Sequence, residues 1–409
     1  MLNVIWIGFF FTAFLCAICQ FWFLGEQQIF SMIMSALFES AKSAFEIALG
    51  LTGVLTLWLG IMRIAEQSGA MRLLTRGLSP LLSRLMPEVP KDHPALGAML
   101  MNLSANALGL DNAATPLGIK AMQELQSLNP SADTASNAQI LFLVLNASSV
   151  TLFPISIFTF RAQMGAAQPT DVFIPILLAT YVSTLAGFLA VAVVQRLPLW
   201  DKVVLSYLLG FSAVVGGLVS YFSALPQAEM LAQSALLSNF LLFSLIIGFI
   251  CGAVYQGLDV YATFIEGARE GFQTAITIIP YLVAMLTAIA VFRASGALTL
   301  IIDGLRWFSQ MFGWDSRFIE ALPTALIKPF SGSGARAMML DTMKLYGPDS
   351  FAGHLACIIQ GSTETTFYII AVYFGAVKIK YIRHTAACGI IADFFGVVAA
   401  IFITYWFFG

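Results

Sequence analysis

Two stretches decide how this chain folds: Asn146-Ala147-Ser148-Ser149-Val150-Thr151 and Gln360-Gly361-Ser362-Thr363-Glu364-Thr365-Thr366. Each places a run of hydroxyls and amides inside an otherwise apolar segment. Each follows a polar turn, Leu108-Gly-Leu-Asp-Asn-Ala-Ala-Thr-Pro116 for the first and Lys328-Pro-Phe-Ser-Gly-Ser-Gly334 for the second. At membrane depth such groups cost free energy unless they line a cavity or bind something. Gly/Pro-interrupted apolar segments at matching places in two halves point to a transport site.

Composition agrees. The 409 residues are 59% hydrophobic and 10% charged, with mean hydropathy +0.86. A soluble chain would be about a quarter charged. Several apolar stretches reach the roughly 20 residues a spanning helix needs. Net charge is −2 with no basic stripe, which argues against nucleic acid as a partner. Five cysteines lie in apolar stretches and read as small fillers, and the three histidines are scattered in loops or interfaces. Asn3 to Leu24 lacks a basic n-region and a cleavage site, so it reads as a first spanning helix.

The expected order of elements follows from periodicity and breakers. A long helix covers Phe38 to Glu66. An amphipathic interfacial helix covers Met71 to Met86, its Arg72, Arg76 and Arg84 reaching the headgroups. His93 to Leu110 and Pro116 to Leu128 form a hairpin too short to span simply, with Thr115 as the expected N-cap. Asn137 to Met164 is a spanning helix broken around Asn146–Pro154, and Val172 to Val194 is an ordinary span. Two more spans, Val203 to Phe222 and Leu236 to Val254, precede a restart of the pattern: a long helix to about Phe292, an amphipathic Ala297 to Phe312, a hairpin Phe318 to Tyr346, a broken helix Phe351 to Gly375 and a last span Ile382 to Phe407. Phe45 recurs as Phe272, Lys120 as Arg336 and Asn146 as Gln360, at an offset drifting from 227 to 214 residues. That divides the chain into a first repeat 1–197, connecting helices 198–258 and a second repeat 259–409. The expected fold class is an all-α polytopic membrane protein, an inverted-repeat transporter with two re-entrant hairpins and two broken helices. Nine crossings set Arg63, Arg72, Arg76, Arg84, Lys91, Arg196, Lys202, Arg269, Lys378, Lys380 and Arg383 on one side, and Lys42, Arg161, Arg293, Arg306 and Arg317 on the other. The positive-inside rule then puts the N-terminus in the cytoplasm and the C-terminus outside, in a bacterial inner membrane.

A broken helix exposes carbonyls and N–H groups, and its half-helix ends carry partial charges of both signs. Asn146, Ser148, Ser149 and Thr151 supply oxygens able to replace the hydration shell of a cation. Gln360, Ser362, Thr363, Thr365 and Thr366 do so in the second copy. The alternative is that these hydroxyls bond back to carbonyls four residues earlier or glue helices together. Glu364, a carboxyl inside an apolar span, is a functional candidate by default. Its expected partner is Arg336; it binds substrate or a coupling proton, or the two form a static pair. Asp393 faces the same cavity or caps a polar contact. Asp111 and Asn112 sit at the first hairpin turn, where turn chemistry also accounts for them. No nucleophile elbow, zincin motif or P-loop is present, and Gly332-Ser-Gly-Ala-Arg-Ala337 lacks the strand a dinucleotide fingerprint requires, so no enzyme is expected.

Asn102-Leu-Ser-Ala-Asn-Ala-Leu-Gly-Leu-Asp-Asn-Ala-Ala-Thr-Pro-Leu-Gly-Ile-Lys-Ala-Met122 resembles spore maturation protein A. Pro329-Phe-Ser-Gly-Ser-Gly-Ala335, Tyr346-Gly-Pro-Asp-Ser-Phe351 and Gly361-Ser-Thr-Glu-Thr-Thr-Phe-Tyr368 resemble spore maturation protein B. Both families carry the nucleoside-recognition "gate" domain shared with concentrative nucleoside transporters. The resemblance implies a midplane site moved by an elevator-like shift. It implies Na⁺ near Asn102, Asn106, Asp111, Asn112, Asn146, Ser148 and Ser149. It implies substrate at Ser331, Gly332, Ser333 and Gly334 and at Ser362 to Thr366. The expected function is ion-coupled secondary transport of a small polar solute, with Na⁺ or H⁺ as coupling ion and no other cofactor. A homo-oligomer, dimer or trimer, in the lipid bilayer is expected. The alternative is a non-transporting envelope or spore maturation factor that retains the fold.

Overall fold

A computed structural model describes residues 2–90, 92–148 and 152–409; the side chains of Leu2, Asp111, Asn112 and Ala113 are outside that description. Among the described residues the chain is helical, and the only β pairing is an isolated bridge between Thr134 and Tyr381. The helices are α1 (Leu2–Phe23), α2 (Ile29–Gln67), α3 (Ala70–Leu85), α4 (Pro94–Ala107), α5 (Asp111–Ser127), α6 (Asn137–Ser148), α7 (Ile155–Gln163), α8 (Phe173–Gln195), α9 (Lys202–Ser223), α10 (Gln227–Tyr255), α11 (Val260–Ala294), α12 (Ala297–Met311), α13 (Leu322–Ile327, after a 3₁₀ turn Arg317–Ala321), α14 (Gly332–Tyr346), α15 (Phe351–Ser362), α16 (Thr366–Ala376) and α17 (Thr385–Phe408).

Among the described residues, eight helical stretches are long and apolar enough to cross a membrane. They include Phe351–Ala376, which carries the second break. The ninth crossing expected from the sequence is the broken pair α6 and α7, whose first piece is a shorter apolar helix. The chain is therefore a polytopic, all-helical membrane protein.

The two expected interruptions are present. Helix α15 ends at Ser362, Thr363 to Thr365 are non-helical, and α16 starts at Thr366. Helix α6 ends at Ser148 and α7 starts at Ile155.

The chain divides into two compact units, neither contiguous in sequence. One holds Met1–Leu59, Ser156–Pro169 and Ala268–Gln360; the other holds Gly60–Ile155, Thr170–Gly267 and Gly361–Gly409. Both divisions of the broken helices fall at or beside their breaks. The second unit is built around a core running from Leu82 and Met99 through Phe142 and Val144 to Phe374. Its most extensive helix contact is α8 with α17. Small residues allow this approach: a Cβ on Gly187 would lie 3.0 Å from the Ala392 Cβ, and one on Gly396 would lie 3.1 Å from Ser183 Cβ. Ser183 Oγ then reaches Ala392 O at 3.0 Å. In membranes such small-residue seams take the place of a hydrophobic driving force between helices. The first unit has a smaller core of Phe292, Leu298, Ile302 and Ile319.

Two details correct the sequence reading. The first hairpin turn is shorter than expected. Helix α4 closes on Gly109 at φ +72°, with Gly109 N–H to Asn106 O at 3.0 Å and Leu110 N–H to Ala105 O at 2.9 Å. This pair is a Schellman closure, and it lets α5 begin at Asp111. Thr115 is therefore not the N-cap, and Pro116 lies inside α5. Second, Arg161 is not a loop charge. It is fully buried in the first unit, donating to Pro348 O at 2.7 Å, to Asp349 Oδ1 at 3.1 Å and meeting His354 Nε2 at 3.3 Å. His354 is likewise buried, within α15.

Candidate functional site

In the second unit, the hairpin α4–α5, helix α6 and helix α16 bring the polar residues together. Asn102 lies past the middle of α4 and Asn146 near the end of α6, and both are buried almost completely. Asn102 Nδ2 donates to Ala114 O at 2.7 Å and to Tyr373 Oη at 3.3 Å. Those two acceptors fix the amide's orientation and leave Asn102 Oδ1 buried without a hydrogen-bond partner among the described residues. Asn106 Nδ2 donates to Asn146 Oδ1 at 2.8 Å, and Tyr373 Oη donates to the same oxygen at 3.5 Å. Asn146 Nδ2 turns back to Phe142 O at 2.9 Å.

Tyr373 is the residue that sequence reading missed. It reaches the hairpin only because Gly118 has no side chain: a Cβ there would lie 2.1 Å from Tyr373 Oη. The signal available in the sequence was a phenol in the second broken helix together with a glycine early in α5. Neither is informative until the two helices meet.

The two breaks themselves meet in this unit. Glu364 N–H donates to Ala147 O at 2.9 Å. In an unbroken helix that N–H would go to Gln360 O four residues earlier. The break diverts it to the C-terminal end of α6, where the last carbonyls have no intrahelical donor. Ser148 O, next along, accepts from Thr184 Oγ1 at 3.3 Å, while Ser148 Oγ contacts Leu145 O at 3.4 Å. Ser148 thus partly follows the back-bonding alternative. Thr363 Oγ1 is buried without a hydrogen-bond partner among the described residues. Thr366 Oγ1 donates to Asp393 Oδ2 at 2.7 Å, so Asp393 serves a polar contact at the start of α16. Thr365 occupies the N-cap position of α16 with extended backbone and makes no side-chain cap. The Glu364 side chain is partly exposed and forms no ion pair within its unit among the described residues.

The first unit carries the other set. Ser331 caps α14, its Oγ accepting from Gly334 N–H at 3.0 Å and lying 3.4 Å from Ser333 Oγ. A Cβ on Gly334 would sit 2.9 Å from Ile327 Cγ2, so the glycine lets the two arms close. Gly332 opens the helix. Arg336 lies with its guanidinium 5.5 Å from the Phe160 ring centroid, a cation–π contact. Gln360 O accepts from Lys328 Nζ at 2.8 Å, and Gln360 Oε1 has no hydrogen-bond partner among the described residues. Lys328 is the second residue that sequence reading left aside, as the mere start of a turn.

Among the expected site residues, Ser149 and Thr151 lie outside the described residues. Asp111 and Asn112 lie at the start of α5, and their side chains are outside the description. Asn102, Asn106, Asn146, Ser148, Thr363, Glu364, Thr365 and Thr366 share one unit; Ser331, Gly332, Ser333, Gly334, Arg336 and Gln360 share the other, and Ser362 joins the first group by one residue. An apolar groove of about 420 Å³ beside α8, α9 and α17, lined by Val182, Val215, Val219, Phe402 and Trp406, is chemistry for lipid and not for a polar solute.

Comparison with known proteins places these features. The chain is 41% identical over 189 residues, 46% of its length, to spore maturation protein A of Bacillus subtilis (strain 168), covering 93% of that protein. It is 46% identical over 165 residues, 40% of its length, to spore maturation protein B of the same organism, covering 91% of it. No solved structure matches it. The nucleoside-recognition gate family matches residues 48–164 and 275–380, segments that contain both hairpins and both breaks. The chain belongs to the nucleoside-recognition gate family, in a form that joins what in the relatives are the separate proteins A and B.

Proposed function

We propose that this chain is an ion-coupled secondary transporter of a small polar solute, working by alternating access. The observation that carries this reading is the contact between the two breaks, Glu364 N–H to Ala147 O at 2.9 Å. A spanning helix has no reason to give up its own ladder at mid-membrane unless the freed groups serve a site. The buried oxygens Asn102 Oδ1 and Thr363 Oγ1, unpartnered among the described residues, add to it. Bare acceptors of this kind suit a cation and leave an uncompensated cost in its absence. Na⁺ at the Asn102, Asn106, Asn146 and Ser148 set, with Glu364 serving the solute or a coupling proton, is the assignment we favour.

The hairpins are read as re-entrant. Helix α4 has 14 residues, roughly 21 Å at the standard rise, against a hydrocarbon core of roughly 30 Å. With re-entrant hairpins the repeats 1–197 and 259–409 enter from opposite sides, which supports inversion. The N-terminus is then cytoplasmic and the C-terminus outside, in the inner membrane. An elevator-like shift requires a fixed scaffold, so a dimer or trimer is the assembly proposed. No enzymatic activity and no cofactor beyond Na⁺ or H⁺ enter this reading.

Thermal-shift screening of the purified chain against nucleosides, amino acids and small carboxylates, with and without Na⁺ and across pH, tests it first. Counterflow of the solute so identified, measured in proteoliposomes, should be lost in Glu364→Gln and weakened in Ser148→Ala. If no solute shifts stability and none is exchanged, the transport reading fails. A role in envelope or spore maturation, the property named in its relatives, would then stand in its place.

A further inference from the structure

Helices α6 and α15 are corresponding elements: each leads into a break, and Asn146 of one aligns with Gln360 of the other. Both end with carbonyls that lack intrahelical donors and carry partial negative charge. Among the described residues the donors at the end of α6 are neutral, namely Glu364 N–H to Ala147 O at 2.9 Å and Thr184 Oγ1 to Ser148 O at 3.3 Å. At the end of α15, diversion of Glu364 N–H leaves Gln360 O to another donor, and Lys328 Nζ takes it at 2.8 Å.

Lys328 follows the last residue of α13, the first arm of its hairpin; Leu108 holds the same C-cap place after α4. Both are buried to the same degree, 4% exposed. One half therefore places an apolar side chain where the other places a cationic one. Burying an ammonium is costly unless its charge meets matched acceptors. A helix C-terminus offers such acceptors, and a charge-assisted bond to a carbonyl is among the stronger hydrogen bonds.

We infer that Lys328 is a tethered cation: its ammonium neutralises the α15 end permanently, as a dissociable cation does at the α6 end only when bound. The second clause rests on the transport reading; the first does not. The functional consequence is asymmetry of ion use. Only the first half then needs an ion from solution.

The test is thermal unfolding in detergent in sodium-free choline buffer, comparing wild type, Lys328→Arg, Lys328→Gln and Lys328→Ala, with and without methylammonium. Lys328→Gln keeps a donor of similar length without the charge and is expected to melt roughly 5 °C lower. Lys328→Arg should stay within about half that loss. Methylammonium should restore Lys328→Ala and leave wild type unmoved, because the small cation refills the vacated place. Melting of Lys328→Gln together with wild type overturns the inference, and so does a methylammonium response in Lys328→Ala no larger than in wild type. Where Lys328→Ala does not fold, the Gln variant alone decides. A separate Na⁺ titration of wild type addresses the first-half ion site, so the two readings can fail independently.

Discussion

The corner at the end of α6 and the corner at the end of α15 solve one problem with different chemistry. Each must satisfy the carbonyls of a helix that stops inside the membrane. The α6 corner uses neutral donors, Glu364 N–H on Ala147 O and Thr184 Oγ1 on Ser148 O, in the unit where Asn102 Oδ1 has no hydrogen-bond partner among the described residues. The α15 corner uses the Lys328 ammonium on Gln360 O. A repeated backbone does not imply repeated electrostatics. The two gate segments supply two broken helices, and single substitutions then decide which donor each interrupted end receives.

Four experiments break or sharpen that contrast. The largest effect is expected at Gly118. Gly118→Ala drives a methyl to 2.1 Å from Tyr373 Oη, so the phenol must leave Asn102 and Asn146. Overpacking combined with a lost polar network is expected to cost about 3 kcal/mol, seen as a lower melting temperature. Gly97→Ala is the control: nothing lies within 4 Å of its added Cβ, and in mid-helix it should be neutral or slightly stabilising. Equal behaviour of the two would remove Tyr373 from the account.

Asn102→Leu comes next. It strips a donor from buried Ala114 O and from Tyr373 Oη, and about 2 kcal/mol of stability should go with it. The sharper readout is the Na⁺-dependent thermal shift, which should vanish if Asn102 belongs to the ion set. A retained sodium response would move the ion elsewhere.

In the charged corner, Ser331→Ala removes only the N-cap of α14 and should cost about 1 kcal/mol. Solute-induced shifts separate the two roles of this serine. Capping alone predicts unchanged solute affinity; a substrate contact predicts weakened affinity.

The smallest effect is a pH dependence at the edge of the second unit. Burial, with Arg383 alongside, lowers the His384 pKa below its ordinary 6.5. The folded state thus favours neutral imidazole, whose Nε2 lies 3.1 Å from Gln195 Nε2. A group with a depressed folded pKa binds more protons when unfolded, so stability rises with pH there. The contribution is whole above pH 6.5 and declines as pH falls from 6.5 through the lower folded value. A melting profile of His384→Gln that still shows the wild-type decline below pH 6.5 would assign it to another group.

Much of the architecture is legible in the amino-acid order. Apolar length identifies the spans, and the hydroxyl runs locate both breaks within a few residues, because backbone polar groups in lipid are tolerated in so few arrangements. The first hairpin turn was placed too late because Thr115-Pro116 looks like a helix start. The Gly109 closure had already ended α4, so α5 could begin at Asp111. Arg161 counted as loop charge because one-dimensional reading cannot show that Pro348 O and Asp349 enclose it.

The candidate site divides in the same way. Asn146 and Thr363 were visible as polar residues in apolar runs, a local property of composition. Tyr373 and Lys328 were not, because a phenol in a helix or a lysine at a turn has many ordinary explanations. What the sequence by itself determined is that this chain is a polytopic helical protein with two duplicated, interrupted helices, since hydrophobic length and periodicity are properties of order along the chain. What only the tertiary structure decided is which interrupted end receives which donor. That choice depends on distances of a few ångströms between residues more than two hundred positions apart, such as Ala147 and Glu364.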